Sequence, residues 1–69
     1  MMKHLDARGL SCPEPVIMIR KAMMSGERAY EIVLDNVTSK ENVTRYAEHQ
    51  GYTVSVCQSG SEFTLQIQK

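Results

Sequence analysis

The stretch AYEIVLD, Ala29–Asp35, alternates strictly. Tyr30, Ile32 and Leu34 fall on one side, and Glu31, Val33 and Asp35 on the other. A period of two is that of a β-strand whose successive side chains point to opposite faces. One face is apolar and the other carries two carboxylates, so the sheet that holds this strand is covered on one side only. The neighbouring segments supply the cover. Toward the N-terminus, Pro13 to about Met24 has a helical period, with Val16, Ile19 and Met23 on one face and Ala22 beside them. Arg20 and Lys21 lie opposite, and Ser25-Gly26 ends the helix. Toward the C-terminus, Thr38-Ser-Lys-Glu41 fits the S/T-x-x-E capping pattern and starts a second helix at Ser39. Its stripe is Val43, Tyr46 and Ala47, and Gly51 closes it.

Two further strands follow. Tyr52 to Gln58 turns Val54 and Val56 inward and Thr53, Ser55 and Cys57 outward. Ser59-Gly60-Ser61 has turn chemistry, and Phe63, Leu65 and Ile67 continue the alternation, so these strands form a hairpin. A short strand at Lys3–Asp6, with Leu5 as its core residue, opens the chain. The order is β-α-β-α-β-β. It predicts an α+β fold, a two-layer α/β sandwich with two helices on one face of a four-stranded sheet, in a single domain spanning 1–69.

The 69 residues carry 8 Lys plus Arg and 8 Asp plus Glu. A net charge near zero gives no general attraction to nucleic acid or anionic membrane. A chain this short leaves little interior volume for a deep substrate cavity. The start, MMKHLDARGL, lacks the apolar run of a signal peptide, and no segment approaches the length of a membrane span. The expectation is a cytoplasmic protein with reduced thiols. Cys12 and Cys57, with His4 and His49, do not have the spacing of a metal site, and there is no C-x-x-C pair. No metal and no cofactor are expected.

The chemistry concentrates in GLSCPEPV, Gly9–Val16. Two prolines one residue apart disrupt a helix interior but are tolerated in the first turn, where the N–H groups lack intrahelical partners. The stretch therefore reads as a loop containing Gly9, then Cys12 as N-cap, then Pro13, Glu14 and Pro15 as the first helical residues. A thiolate there accepts from the Glu14 N–H and sits at the positive end of the helix dipole. That placement lowers a cysteine pKa, with Arg8 adding to the effect and Glu14 opposing it. A moderate lowering suits sulfur exchange, because nucleophilicity falls along with pKa. On the residues alone, a small buried apolar cysteine fits the position equally well.

The segment LDARGLSCPEPVIMIRKA, Leu5–Ala22, resembles the N-terminal signature of the TusA/SirA/YedF sulfur-carrier family. The C-P-x-P mark of that family is met by Cys12, Pro13, Glu14 and Pro15, with LDARGL before it and Arg20-Lys21 after it. LDNVTSKENVTRYAEHQGYTVSV is similar to the YedF-like branch, which is associated with selenium metabolism, more than to the tRNA-thiolation carrier. The resemblance implies a fold like the C-terminal domain of translation initiation factor three, with mixed sheet order 1-2-4-3. It implies that Cys12 carries sulfane sulfur as a persulfide. The donor it implies is a cysteine desulfurase or rhodanese-like protein, and the recipient a downstream acceptor protein. The activity is then that of a sulfurtransferase-like carrier acting with partners.

Other readings attach to single residues. Met18, Arg20 and Lys21, on the helix that Cys12 opens, are candidates for partner docking, the cations by guiding an acidic rim. Cys57 reads as an incidental cysteine on the open strand face. His4 and His49 read as surface residues, and Asp6 as a stabiliser of the turn before Gly9. Two rival functions are an RNA-binding or regulatory interaction module of the same fold and a thiolate haem sensor. Balanced charge weighs against the first. The lack of room for a haem pocket weighs against the second.

Overall fold

The computed structural model describes residues 2–11 and 13–69, the side chain of Met2 excepted. Six elements follow in the expected order: β1 (Met2–Asp6), α1 (Glu14–Met23), β2 (Ala29–Leu34), α2 (Val37–His49), β3 (Thr53–Ser59) and β4 (Glu62–Gln68). The sheet order is β1-β2-β4-β3, with β1 and β2 parallel and the other pairs antiparallel. The fold is α+β with a mixed four-stranded sheet, as the alternation and the resemblance together require.

The core is the one that the period of two marks out. Tyr30, Ile32 and Leu34 of β2 face Ile67, Leu65 and Phe63 of β4 in register, and all six are buried. Ile19 and Ala22 of α1 and Val43 and Ala47 of α2 close over them. Each fully buried aliphatic or aromatic side chain contributes on the order of 1.5–3 kcal/mol relative to exposure. The polar face of β2, with Glu31 and Val33, lies away from the helices. Leu5, Val16, Met23, Tyr46 and Val54 pack at the margin of the core, half buried. Ala7, just past β1, is fully buried and donates its N–H to the Val33 carbonyl at 2.9 Å, which extends the β1–β2 pairing by one residue.

Three local expectations are corrected. Helix α2 starts two residues earlier than the S/T-x-x-E pattern indicates. Its N-cap is Asn36, whose side-chain oxygen accepts from the Ser39 N–H at 2.7 Å. Asparagine caps at least as well as threonine, and Asn36 stands in extended backbone two residues past the end of β2, so it takes the cap first. Helix α1 starts at Glu14 with Pro13 at the N-cap position, one residue later than expected. The Glu14 N–H closes a turn onto the Ser11 carbonyl at 2.9 Å, and the first helical hydrogen bond runs from Ile17 to the Pro13 carbonyl. Val56 shares the helix-side face with its partner Leu65 but remains 49% exposed, because β3 is an edge strand that the helices leave partly uncovered.

The β3–β4 hairpin turns through Gly60-Ser61, between the paired residues Ser59 and Glu62. Gly60 has φ +60°, and no described non-glycine residue has a positive φ. That combination is the type II′ turn, which matches the right-handed twist of the flanking strands and places glycine first.

Candidate functional site

The site begins with the loop between β1 and α1, which is anchored at several points. Asp6 accepts from the Arg8 backbone N–H at 3.1 Å and from the Arg8 guanidinium at 3.0 and 2.9 Å. This confirms the turn-stabilising role read for Asp6. The Arg8 side-chain hydrogen bonds, aided by the one from its backbone, hold the Asp6 carboxyl at a pKa of about 2. Arg8 also donates to Glu62 at 3.2 Å, and the two carboxylates raise its own pKa further. Both charges of Asp6 and Glu62 face one guanidinium. Arg8 therefore brings no uncompensated positive charge to the loop.

Gly9 takes φ +79°, the left-handed region that a side chain rarely enters. Its N–H donates to Asp35 Oδ2 at 2.7 Å. Asn36 reaches the next residue: its Nδ2 lies 3.5 Å from the Leu10 carbonyl and 3.3 Å from Asp35 Oδ1. The β2–α2 junction thus does two jobs. Asp35 and Asn36 hold the loop, and Asn36 caps α2 at the same time. Neither residue stands out as functional in the sequence, where Asp35 is only the last residue of an alternating stretch. The one available signal was an Asp-Asn pair at the end of that strand.

Cys12, on which the carrier expectation rests, lies outside the described residues. Its expected N-cap role passes to Pro13, and the Glu14 N–H it was expected to use is taken by Ser11. Pro13 and Glu14 are exposed, whereas Pro15 is fully buried. Pro15, Ile19 and Ala22 make the buried edge of α1. The proline ring is therefore a core element as well as a first-turn residue, a role that reading it through its backbone alone does not reveal.

Two open grooves flank this helix start. One, of about 730 Å³, lies between the helices and is lined by Pro13, Val16, Tyr46, Arg45 and His49, among others. The other, of about 410 Å³, is lined by Leu10, Glu14, Ile17, Met18 and Lys21. Ile17 is 39% exposed, a large apolar side chain open to solvent. The three docking candidates separate here. Met18 is half buried and shares the second groove with Lys21. Arg20 lies on another flank of α1, beside Met24 and Gln50.

Cys57 is exposed on the open sheet face opposite Thr64, as expected. His4 and His49 are exposed, and His4 Nδ1 pairs with Glu31 Oε1 at 2.8 Å. No helix among the described residues is long and apolar enough to cross a membrane.

The family model for sulfurtransferase TusA matches residues 3–69. A protein of Methanocaldococcus jannaschii, named as a candidate sulfur carrier, is 38% identical over 71 aligned positions, covering 99% of this chain and 95% of that protein. The crystal structure of a SirA-like protein from Desulfitobacterium hafniense superposes with a TM-score of 0.86 at 30% identity. That match covers 99% of this chain and 96% of the other.

Proposed function

Because this chain belongs to the sulfurtransferase TusA family, whose members give and receive sulfur in company with other proteins, we propose that residues 1–69 form one sulfur-carrier domain with Cys12 as its carrier. The Cys12 thiolate attacks the outer sulfur of a donor persulfide. A new S–S bond forms on Cys12, the donor's S–S bond breaks, and the donor cysteine leaves as thiolate, so no external oxidant is consumed. The donor is a cysteine desulfurase or a rhodanese-like protein. The loaded persulfide then passes to an acceptor protein by the same exchange, with Cys12 as the leaving thiolate. Similarity of the second half to the YedF-like branch extends the cargo to selenium.

The observation that carries this reading is the tethering of the chain on both sides of position 12. Gly9 is held by Asp35 and Leu10 by Asn36 just before it. The buried Pro15 ring holds it just after. The rings of Pro13 and Pro15 lock φ at two positions, which stiffens the start of α1. Open grooves lie against the described residues on either side of position 12, Pro13 in one and Leu10 and Glu14 in the other, and give a partner room to dock. Met18 and Lys21 in one groove, and Arg20 on the other flank, are then the docking contacts. The residues supporting the thiol are Gly9, Pro13, Glu14 and Pro15.

Intact-mass measurement after incubation with a cysteine desulfurase and cysteine tests the reading. The expected product gains about 32 Da, or a multiple of it, and loses the gain on reduction. Cys12→Ser should fold and fail to load, while Cys57→Ser should load as the parent does. Loading that survives Cys12→Ser, or that follows Cys57, refutes the assignment.

A further inference from the structure

Strand β3 is an edge strand. It pairs with β4 on one side, and no described strand covers the other. Natural edge strands are usually blunted by charges, proline or a bulge, because an open row of N–H and C=O groups is a template for another strand. Thr53–Ser59, TVSVCQS, has none of the first two, and its register against β4 runs without a break over all seven residues.

The turn fixes which backbone groups are open. In a two-residue hairpin the closing pair, here Ser59 and Glu62, exchanges its hydrogen bonds. Alternation then commits Cys57, Ser55 and Thr53 to β4 as well. Val54, Val56 and Gln58 point their N–H and C=O outward. An antiparallel copy of the same strand satisfies all three residues in only one register, with Val56 opposite itself and Val54 opposite Gln58. Shifting it by two residues leaves one of the three without a strand residue as partner. The best register therefore has a two-fold axis through Val56, the exposed apolar residue of the strand.

The flank of α2 beside Val56 fits the same axis. Lys40, Glu41, Arg45 and Glu48 line the groove there together with Thr44 and Val56. Lys40 lies one turn before Thr44 and Glu48 one turn after it. The Lys40 ammonium stands 5.1 Å from the Phe63 ring, at the end of the hairpin where Gln58 pairs with Phe63. The far end of α2 leads into the start of β3, through the Tyr52 N–H bond to the Ala47 carbonyl. A two-fold axis through Val56 sets Gln58 against Val54 of the second copy, and so sets Lys40 against Glu48 of the second copy. Opposite charges meet twice.

We propose that β3 is the interface through which two copies of this chain pair, making one continuous eight-stranded sheet with Val56 at its centre. The order β1-β2-β4-β3 places two strands between this edge and β1.

Sedimentation equilibrium of the full chain over a range of concentrations should show a reversible monomer–dimer equilibrium. Val56→Lys places like charges directly opposite each other, and should weaken association by roughly tenfold or more while far-UV circular dichroism stays unchanged. The register has its own test. Ser55 lies opposite Cys57 of the second copy in a non-hydrogen-bonded pair, with Cα atoms about 4.5 Å apart, within disulfide reach. In a Cys12→Ser background, Ser55→Cys should convert to covalent dimer under diamide far faster than the background alone. A monomer at every concentration, as when the edge serves some other protein's strand, overturns the proposal. So does a dimer indifferent to Val56→Lys, an assembly larger than two, or cross-linking no faster with Ser55→Cys.

Discussion

Replacing Pro15 by alanine removes a ring that is fully buried against the core. Two methylene equivalents leave the interior, at about 0.8 kcal/mol each, and the cavity they vacate adds to that. The unfolded chain gains freedom, which costs a further 0.4–1 kcal/mol or so. The restored N–H recovers little, because in the first turn of α1 it has no intrahelical partner. The sum is a destabilisation of about 2–3 kcal/mol. Pro13→Ala loses only the unfolded-state part, roughly 0.4–1 kcal/mol, because Pro13 is exposed. Urea denaturation at neutral pH measures both. For a domain of this size, each kcal/mol moves Tm by about 4–8 °C, so the two variants should separate clearly in a thermal melt as well. Equal losses at the two positions, or a Pro15→Ala loss under about 1 kcal/mol, would refute the assignment of the ring to the core.

Three further outcomes follow from the anchored loop and the caps. Asn36→Ala should cost about 1 kcal/mol, and Thr38→Ala distinctly less, in the same denaturation experiment; the reverse ranking would return the cap to Thr38. The Asp6 carboxyl should titrate near pH 2 in a carbon-detected NMR titration, against an ordinary value of 3.8. Since its folded pKa is depressed, the stability it contributes is complete above the ordinary value and is lost as pH falls toward 2. The acid limb of unfolding between those values should therefore be shallower in Asp6→Asn, and an unchanged limb would deny the linkage. Asp35→Ala frees the Gly9 N–H, costing on the order of 1 kcal/mol. It should slow sulfur transfer while leaving Cys57 alkylation unchanged; transfer at the parent rate would mean that the tether does not position the thiol.

The core was legible because its residues announce themselves by period. Tyr30, Ile32 and Leu34, and likewise Phe63, Leu65 and Ile67, alternate without exception, and all six are buried. The helix starts were legible only to within a residue or two. Asn36 and Thr38 are both good caps, and their competition is decided by where β2 releases the chain. Pro15 shows in the sequence what its nitrogen lacks, while the burial of its ring depends on packing that only the fold supplies. Val56 was assigned to the correct face, yet burial depends on the cover overhead, which a strand's own alternation does not report. The loop contacts were out of reach for a different reason. Gly9 meets Asp35 across 26 positions and Arg8 meets Glu62 across 54, and nothing local to either residue marks the partner.

Strand β4, the sixth of six elements, is an inner strand of the sheet, between β2 and β3. The buried row of β2 has its partner row on β4, so neither helix has a finished surface to rest on until that strand arrives. Ordering by sequence and ordering by space therefore run against each other. During synthesis the segment with the cysteine emerges early, and the strand that completes its scaffold emerges late. Folding must wait for a long-range closure, and such closures are slow because loop entropy is lost before contacts repay it. A ribosome-bound intermediate lacking β4 has neither the partner row for β2 nor Glu62 to hold Arg8.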